Sequence, residues 1–165
     1  MNAIDVLKQS TDMSHQMFLG LAEDLRDHPM HRVCDGANHA LWTVGHMATA
    51  LARFRSIIYG KPNPYEDWRA LFGGGTKPSD DASIYPPYDK LIQTYKQEWA
   101  KYTADYQTMK ESDLDKPVLG SPPPGMEALM GTFGSCLLIV SIHPWHHRGQ
   151  LADIRCSLGK DKLFI

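Results

Sequence analysis

The chain has no apolar run close to the roughly 20 residues that a membrane-spanning helix requires, so no membrane association is expected. It has no surplus of positive charge: 17 Lys and Arg face 19 Asp and Glu, for a formal net charge of -2. Without a basic field there is little to attract nucleic acid or anionic lipid, and neither is an expected partner. Cysteine is scarce. Cys34, Cys136 and Cys156 are odd in number and far apart, which argues against a disulfide framework and fits a reducing compartment. The opening MNAIDVLKQSTDM places Asp5 where a secretion signal would be apolar, so the expected location is cytoplasmic. Gly73-Gly74-Gly75 lacks the lysine and the strand-to-helix setting of a phosphate loop.

Helical periodicity is what the chain does have. Residues 3–27 carry Leu7, Met17, Phe18, Leu21 and Leu25 on one stripe, ended by His28-Pro29. A second pattern begins after Asp35-Gly36 with Asn38 as expected N-cap, presents Leu41, Trp42, Gly45, Ala48 and Ala52 to a neighbour, and stops at Gly60. A third follows Pro86-Pro87, with Tyr88, Leu91, Ile92, Tyr95, Trp99, Tyr102, Tyr106 and Met109 at spacings of three and four. The fourth is expected from near Glu127 to Gly159. No strand alternation competes with these, so the reading is all-α: a four-helix bundle formed by one domain, residues 1–165.

Two connections are long for a bundle, residues 60–87 after the second helix and 112–126 after the third. Tyr65, Trp68, Leu71 and Phe72 give the first an apolar face, so part of it is expected to dock as a short helix. Ser121-Pro122-Pro123-Pro124-Gly125 reads as a stiff, extended lead-in. The two connections are expected to gather at one end of the bundle.

The run Ser141-Ile142-His143-Pro144-Trp145-His146-His147-Arg148-Gly149-Gln150 packs three of the eight histidines into five positions. Residues four apart on a helix share a face, so His143 and His147 can aim at one point. His143 with His146 is the competing pair, and His146 and His147 cannot both face inward. Two imidazoles do not complete a metal site, so a third donor must come from another helix. His46 is the best placed, between Gly45 and Ala48 well inside helix two. His39, near the helix start, is expected exposed, and His15, His28 and His31 belong to helix one or the turn after it. Pro144 removes a backbone donor to Val140, which predicts a kink or widened turn beside the site. Gln150 is read equally as a helix-packing hydrogen bond and as a group that orients a ring or binds the metal's water, and Trp42 is read first as core packing and second as a wall of the site. Arg148 is expected to reach a carboxylate on helix one. Cys136 lies two turns from His143 and is not read as a ligand or nucleophile.

Taken together, Asn38-His39-Ala40-Leu41-Trp42-Thr43-Val44-Gly45-His46 and His143-x-x-x-His147-Arg148-Gly149-Gln150 resemble the DinB/YfiT-like superfamily, as do chain length, helix order and the long middle connection. The resemblance implies that His46, His143 and His147 bind a divalent metal ion. Ion identity is not fixed by imidazole ligands; zinc or nickel comes first, with iron or another ion compatible. It further implies a metal-dependent transferase that uses a low-molecular-weight thiol, or a related hydrolase, acting on a small electrophile. The alternative is a non-catalytic, stress-related module that binds metal or a small ligand. Cys136 to Ile142 is apolar around nearly the whole helix, a surplus that predicts a homodimer, with residues 60–87 folding back as the other possible cover.

Overall fold

The computed structural model describes residues 1–161, and among these there is no strand. Four long helices dominate: α1 (Ala3–Asp24), α2 (Ala40–Tyr59), α4 (Tyr88–Gln107) and α6 (Phe133–Ser157), with one-turn helices α3 (Arg69–Phe72) and α5 (Glu127–Met130) in the connections. The protein is all-α, as its periodicity predicts.

Each boundary has a local cause. Asn2 caps α1 in a reciprocal box with Asp5. The helix stops at Asp24, short of the expected 27, because Arg26 and His28 bond back three residues, to Glu23 and Leu25, and tighten the chain into turns. The cap of α2 is His39, not Asn38: His39 Nδ1 accepts from the Trp42 amide at 3.0 Å, and its Nε2 donates to the Ser79 carbonyl at 3.0 Å. An imidazole with both nitrogens engaged is fully buried here, against the expectation of an exposed residue. Gly60 ends α2 in the left-handed conformation, φ 64°. The fourth long helix starts at Phe133, later than Glu127, since Thr132 is extended and caps it through Ser135. Phe133 and Val118 amides bond to Lys116 and Gly131 carbonyls, which pins this start to the preceding loop. The helix then runs unbroken through Pro144, with no widened turn.

Direction explains the long connection. Tyr88 hydroxyl donates to the Ala22 carbonyl and Lys8 to the carbonyls of Gln107 and Met109, so α4 is antiparallel to α1. Asp24 pairs with Arg155, and α6 is parallel to α1; Asn38 meets Gln150, and α2 is antiparallel to α6. The order is therefore up, down, down, up, with α1 packed mainly on α6 and α2 mainly on α4. Parallel neighbours α2 and α4 oblige residues 60–87 to travel back along a 20-residue helix, about 30 Å at 1.5 Å per residue. The second connection stays at one end, where Leu119 and Gly120 amides bond to Ile58 and Ile57 carbonyls. Thus the two connections do not simply share an end, because the first spans the bundle.

Candidate metal centre

The returning crossover is fastened to three neighbouring positions of α2. Trp42 Nε1 donates to the Leu71 carbonyl at 2.9 Å, the Phe72 ring fills the space over Gly45, and His46 Nδ1 donates to the Phe72 carbonyl at 2.8 Å. The expected short helix is thus present, and Phe72 is buried under it. Trp42 also stacks flat on His46, with ring centroids 4.9 Å apart and planes 7° apart, so it walls this ring as well as packing in the core.

His46 meets α6 at two histidines. His143 Nε2 lies 3.2 Å from His46 Nε2 and 3.0 Å from His147 Nε2, and the three ring nitrogens fall within 4.8 Å of one another. His146 points outward, exposed, so the helix aims His143 and not its neighbour at the cluster. His147 Nδ1 donates to Gln150 Oε1 at 2.9 Å, and Asn38 Nδ2 donates to that same oxygen at 3.3 Å, fixing the amide's orientation.

Proton positions follow from these outer partners. A carbonyl oxygen only accepts, so the neutral rings of His46 and His147 carry their protons on Nδ1 and present bare lone pairs at Nε2. Both lone pairs face His143 Nε2, which has at most one proton to give. At least one contact therefore sets lone pair against lone pair. Protonation would relieve it, but burial and the neighbouring imidazoles push His143 down to about 2 and His147 down to about 4. Burial lowers His46 too, against the Phe72 carbonyl, which raises it. A cation satisfies all three nitrogens at once. Two imidazoles on a tetrahedral zinc, at about 2.05 Å each, stand about 3.3 Å apart, close to both spacings observed.

Other candidates lie elsewhere. His28 is exposed, and His31 bonds to Ser157 Oγ at 2.9 Å. Cys136 is buried with its thiol on the Met130 carbonyl, and burial pushes it up to about 11. Arg148 pairs with no carboxylate of helix one: its guanidinium lies over the Trp145 ring at 5.6 Å, and Asp24 is taken by Arg155 and Lys160. Sequence reasoning missed His15, which is buried in the core, hydrogen-bonded to the Tyr95 hydroxyl and stacked on Trp99 at 3.9 Å. Desolvation pushes it down to about 3; the nearby Val140 carbonyl, deprived of its helical donor by Pro144, offsets part of that fall. A pocket of about 390 Å³ adjoins the cluster, lined by His46, Thr49 and Arg53 of α2, Tyr65 and Arg69 of the crossover and Pro123 of the second connection.

The family model of the DinB superfamily matches residues 10–151. The chain belongs to the DinB superfamily. The match contains His46, His143, His147 and Gln150, so the converging histidines of this DinB protein could hold a metal ion, as expected of a metal-binding family. A comparison with curated proteins finds no match. No helix of this DinB chain, among the described residues, is long and apolar enough to cross a membrane.

Proposed function

We propose that His46, His143 and His147 bind one divalent ion, zinc or nickel first, and that the protein is a metal-dependent transferase using a low-molecular-weight thiol, or a related hydrolase, on a small electrophile. The observation that carries this reading is the unsatisfied meeting of imidazole lone pairs at His143 Nε2. Three neutral ligands leave a divalent ion its full charge and an open position, the ligand pattern of catalytic rather than structural zinc. When bound, such an ion supplies Lewis acidity and lowers the pKa of a thiol or water that reaches it. The chain does the rest. Phe72 and Gln150 hold the tautomers, Trp42 holds the His46 ring flat, and the adjoining pocket offers room for a small molecule. The exposed side chains of Leu138 and Ile142 on α6 support a homodimer, and the scarcity of cysteine supports a cytoplasmic location.

The test is turnover. Protein loaded with zinc or nickel is assayed with a panel of small thiols and electrophiles, beside the metal-free protein and His46→Ala. Metal-dependent transfer or hydrolysis that His46→Ala abolishes supports the enzyme. Tight metal binding with no turnover across the panel instead favours the non-catalytic binding module.

A further inference from the structure

Seven arginines are spread over the chain, and most have a partner. Arg26, Arg32, Arg55 and Arg155 pair with carboxylates, and Arg148 lies over Trp145. Arg53 and Arg69 are different. Among the described residues neither guanidinium has an ion pair or a hydrogen bond, and both line the pocket beside His46. They reach it from different elements: Arg53 is half-buried on α2, and Arg69 is exposed on α3 of the crossover. The acidic side chain in that lining, Glu66, is engaged at Oε1 by Asn63 Nδ2 at 2.8 Å.

Register sets their relation to the histidines. His46, Thr49 and Arg53 sit three and seven positions along one helix face, so Arg53 emerges about 10 Å from His46 along the axis. A guanidinium is a planar fork matched to a carboxylate, and it is the weakly hydrated cation suited to a partly buried pocket. Two such forks without partners, lining one cavity, can serve as a receptor for an anion on a ligand that also lies toward His46.

We infer that Arg53 and Arg69 bind a carboxylate carried by the small molecule that enters this pocket. The inference deepens the proposed function by naming the substrate class of the same site, and it rests on that reading only in taking the pocket as a ligand site. The ligand is an anionic small molecule, a thiol or electrophile that carries a carboxylate. A neutral analogue of equal shape loses the contact.

N-acetylcysteine and N-acetylcysteamine make a matched pair of probes, with the same thiol and amide and a carboxylate on the first alone. Calorimetric titration of each into metal-free protein measures the carboxylate without help from an ion. N-acetylcysteine is expected to bind at least about tenfold tighter, the scale of one hydrogen bond to a charged group. The preference disappears in Arg53→Gln and in Arg69→Gln, is partly kept in Arg53→Lys, and is unchanged in the remote control Arg26→Gln. Circular dichroism establishes that the variants are folded, and their zinc uptake stays at the wild-type level. Equal binding of the two probes, no binding of N-acetylcysteine at millimolar concentration, or a preference that survives both Gln substitutions overturns the inference. Loss of metal binding with an intact preference overturns the proposed function alone, and intact metal binding with no preference overturns this inference alone.

Discussion

The Phe72 ring occupies the space that Gly45 leaves by having no side chain, and the Phe72 carbonyl accepts from His46 one residue on. A glycine in mid-helix weakens α2, so its use here reflects the close approach of the crossover.

Gly45→Ala puts a methyl group into the Phe72 ring. Overpacking of this kind costs about 1–3 kcal/mol. The Phe72 ring must shift, and a shift that carries its backbone along loosens the anchor of the His46 tautomer. A lower denaturation midpoint together with weaker metal binding is expected; unchanged metal affinity would separate Phe72 from the site.

Purified protein should carry about one divalent ion per chain, from one three-histidine site. His46→Ala should lose tight binding and His31→Ala keep it, by elemental analysis of dialysed samples. His39→Ala should also keep the metal, but it removes the cap of α2 and destabilises the fold by about 1 kcal/mol or more. Metal loss in His31→Ala would point to a different ligand set.

Gln150 reaches His147 through Oε1. Replacing it with Leu keeps the bulk and removes the acceptor, and outer partners of this kind are worth about 10- to 100-fold in metal affinity. Competition with a chromophoric chelator measures it. His146→Ala, on the exposed side, is the control expected to bind normally.

Acid should unfold the metal-free protein early. His15, His143 and His147 have ordinary values of 6.5, pushed down to about 3, about 2 and about 4 by burial first. Above pH 6.5 both folded and unfolded chains are neutral at these rings; below it the unfolded chain takes up protons that the folded chain refuses. Stability therefore falls as pH drops through 6.5 and keeps falling toward about 4. Thermal melts between pH 8 and 4.5, on the scale of about one unit per step, should show the midpoint descending only in the lower part; a flat profile contradicts the neutral cluster.

Leu138 and Ile142 lie four apart on α6 and are 52% and 54% exposed. The crossover does not cover them, since Phe72 packs on α2 instead. Light scattering should give twice the mass of one chain, and Leu138→Asp with Ile142→Asp should halve it. A single-chain mass across dilution at micromolar concentration rules out a stable dimer.

The helices were legible because their apolar faces repeat at three and four, and the reach of His143 and His147 to one point follows from the same geometry. Other features depend on partners distant in sequence. Nothing near His39 announces that its ring reaches Ser79, 40 residues on, and so becomes a buried cap in place of Asn38. The carbonyl that sets the His46 tautomer belongs to Phe72, read beforehand only as an apolar side chain. His15 had no visible partner in the sequence, because Tyr95 lies 80 positions away. Arg148 was misassigned for a related reason: a neighbouring Trp145 ring was available and the acid on helix one was already taken.

The histidines come from different halves of the bundle, His46 from the α2–α4 pair and His143 and His147 from the α1–α6 pair, with His46 and His143 separated by 97 positions. Joining points so far apart in a chain removes freedom chiefly from the unfolded state, and the gain grows with the length enclosed. An ion shared by these rings would thus be a removable staple across the seam between the pairs. Folding and loading would then be one equilibrium, with stability rising with the free metal concentration and amide protection at the seam between α2 and α6 rising with it.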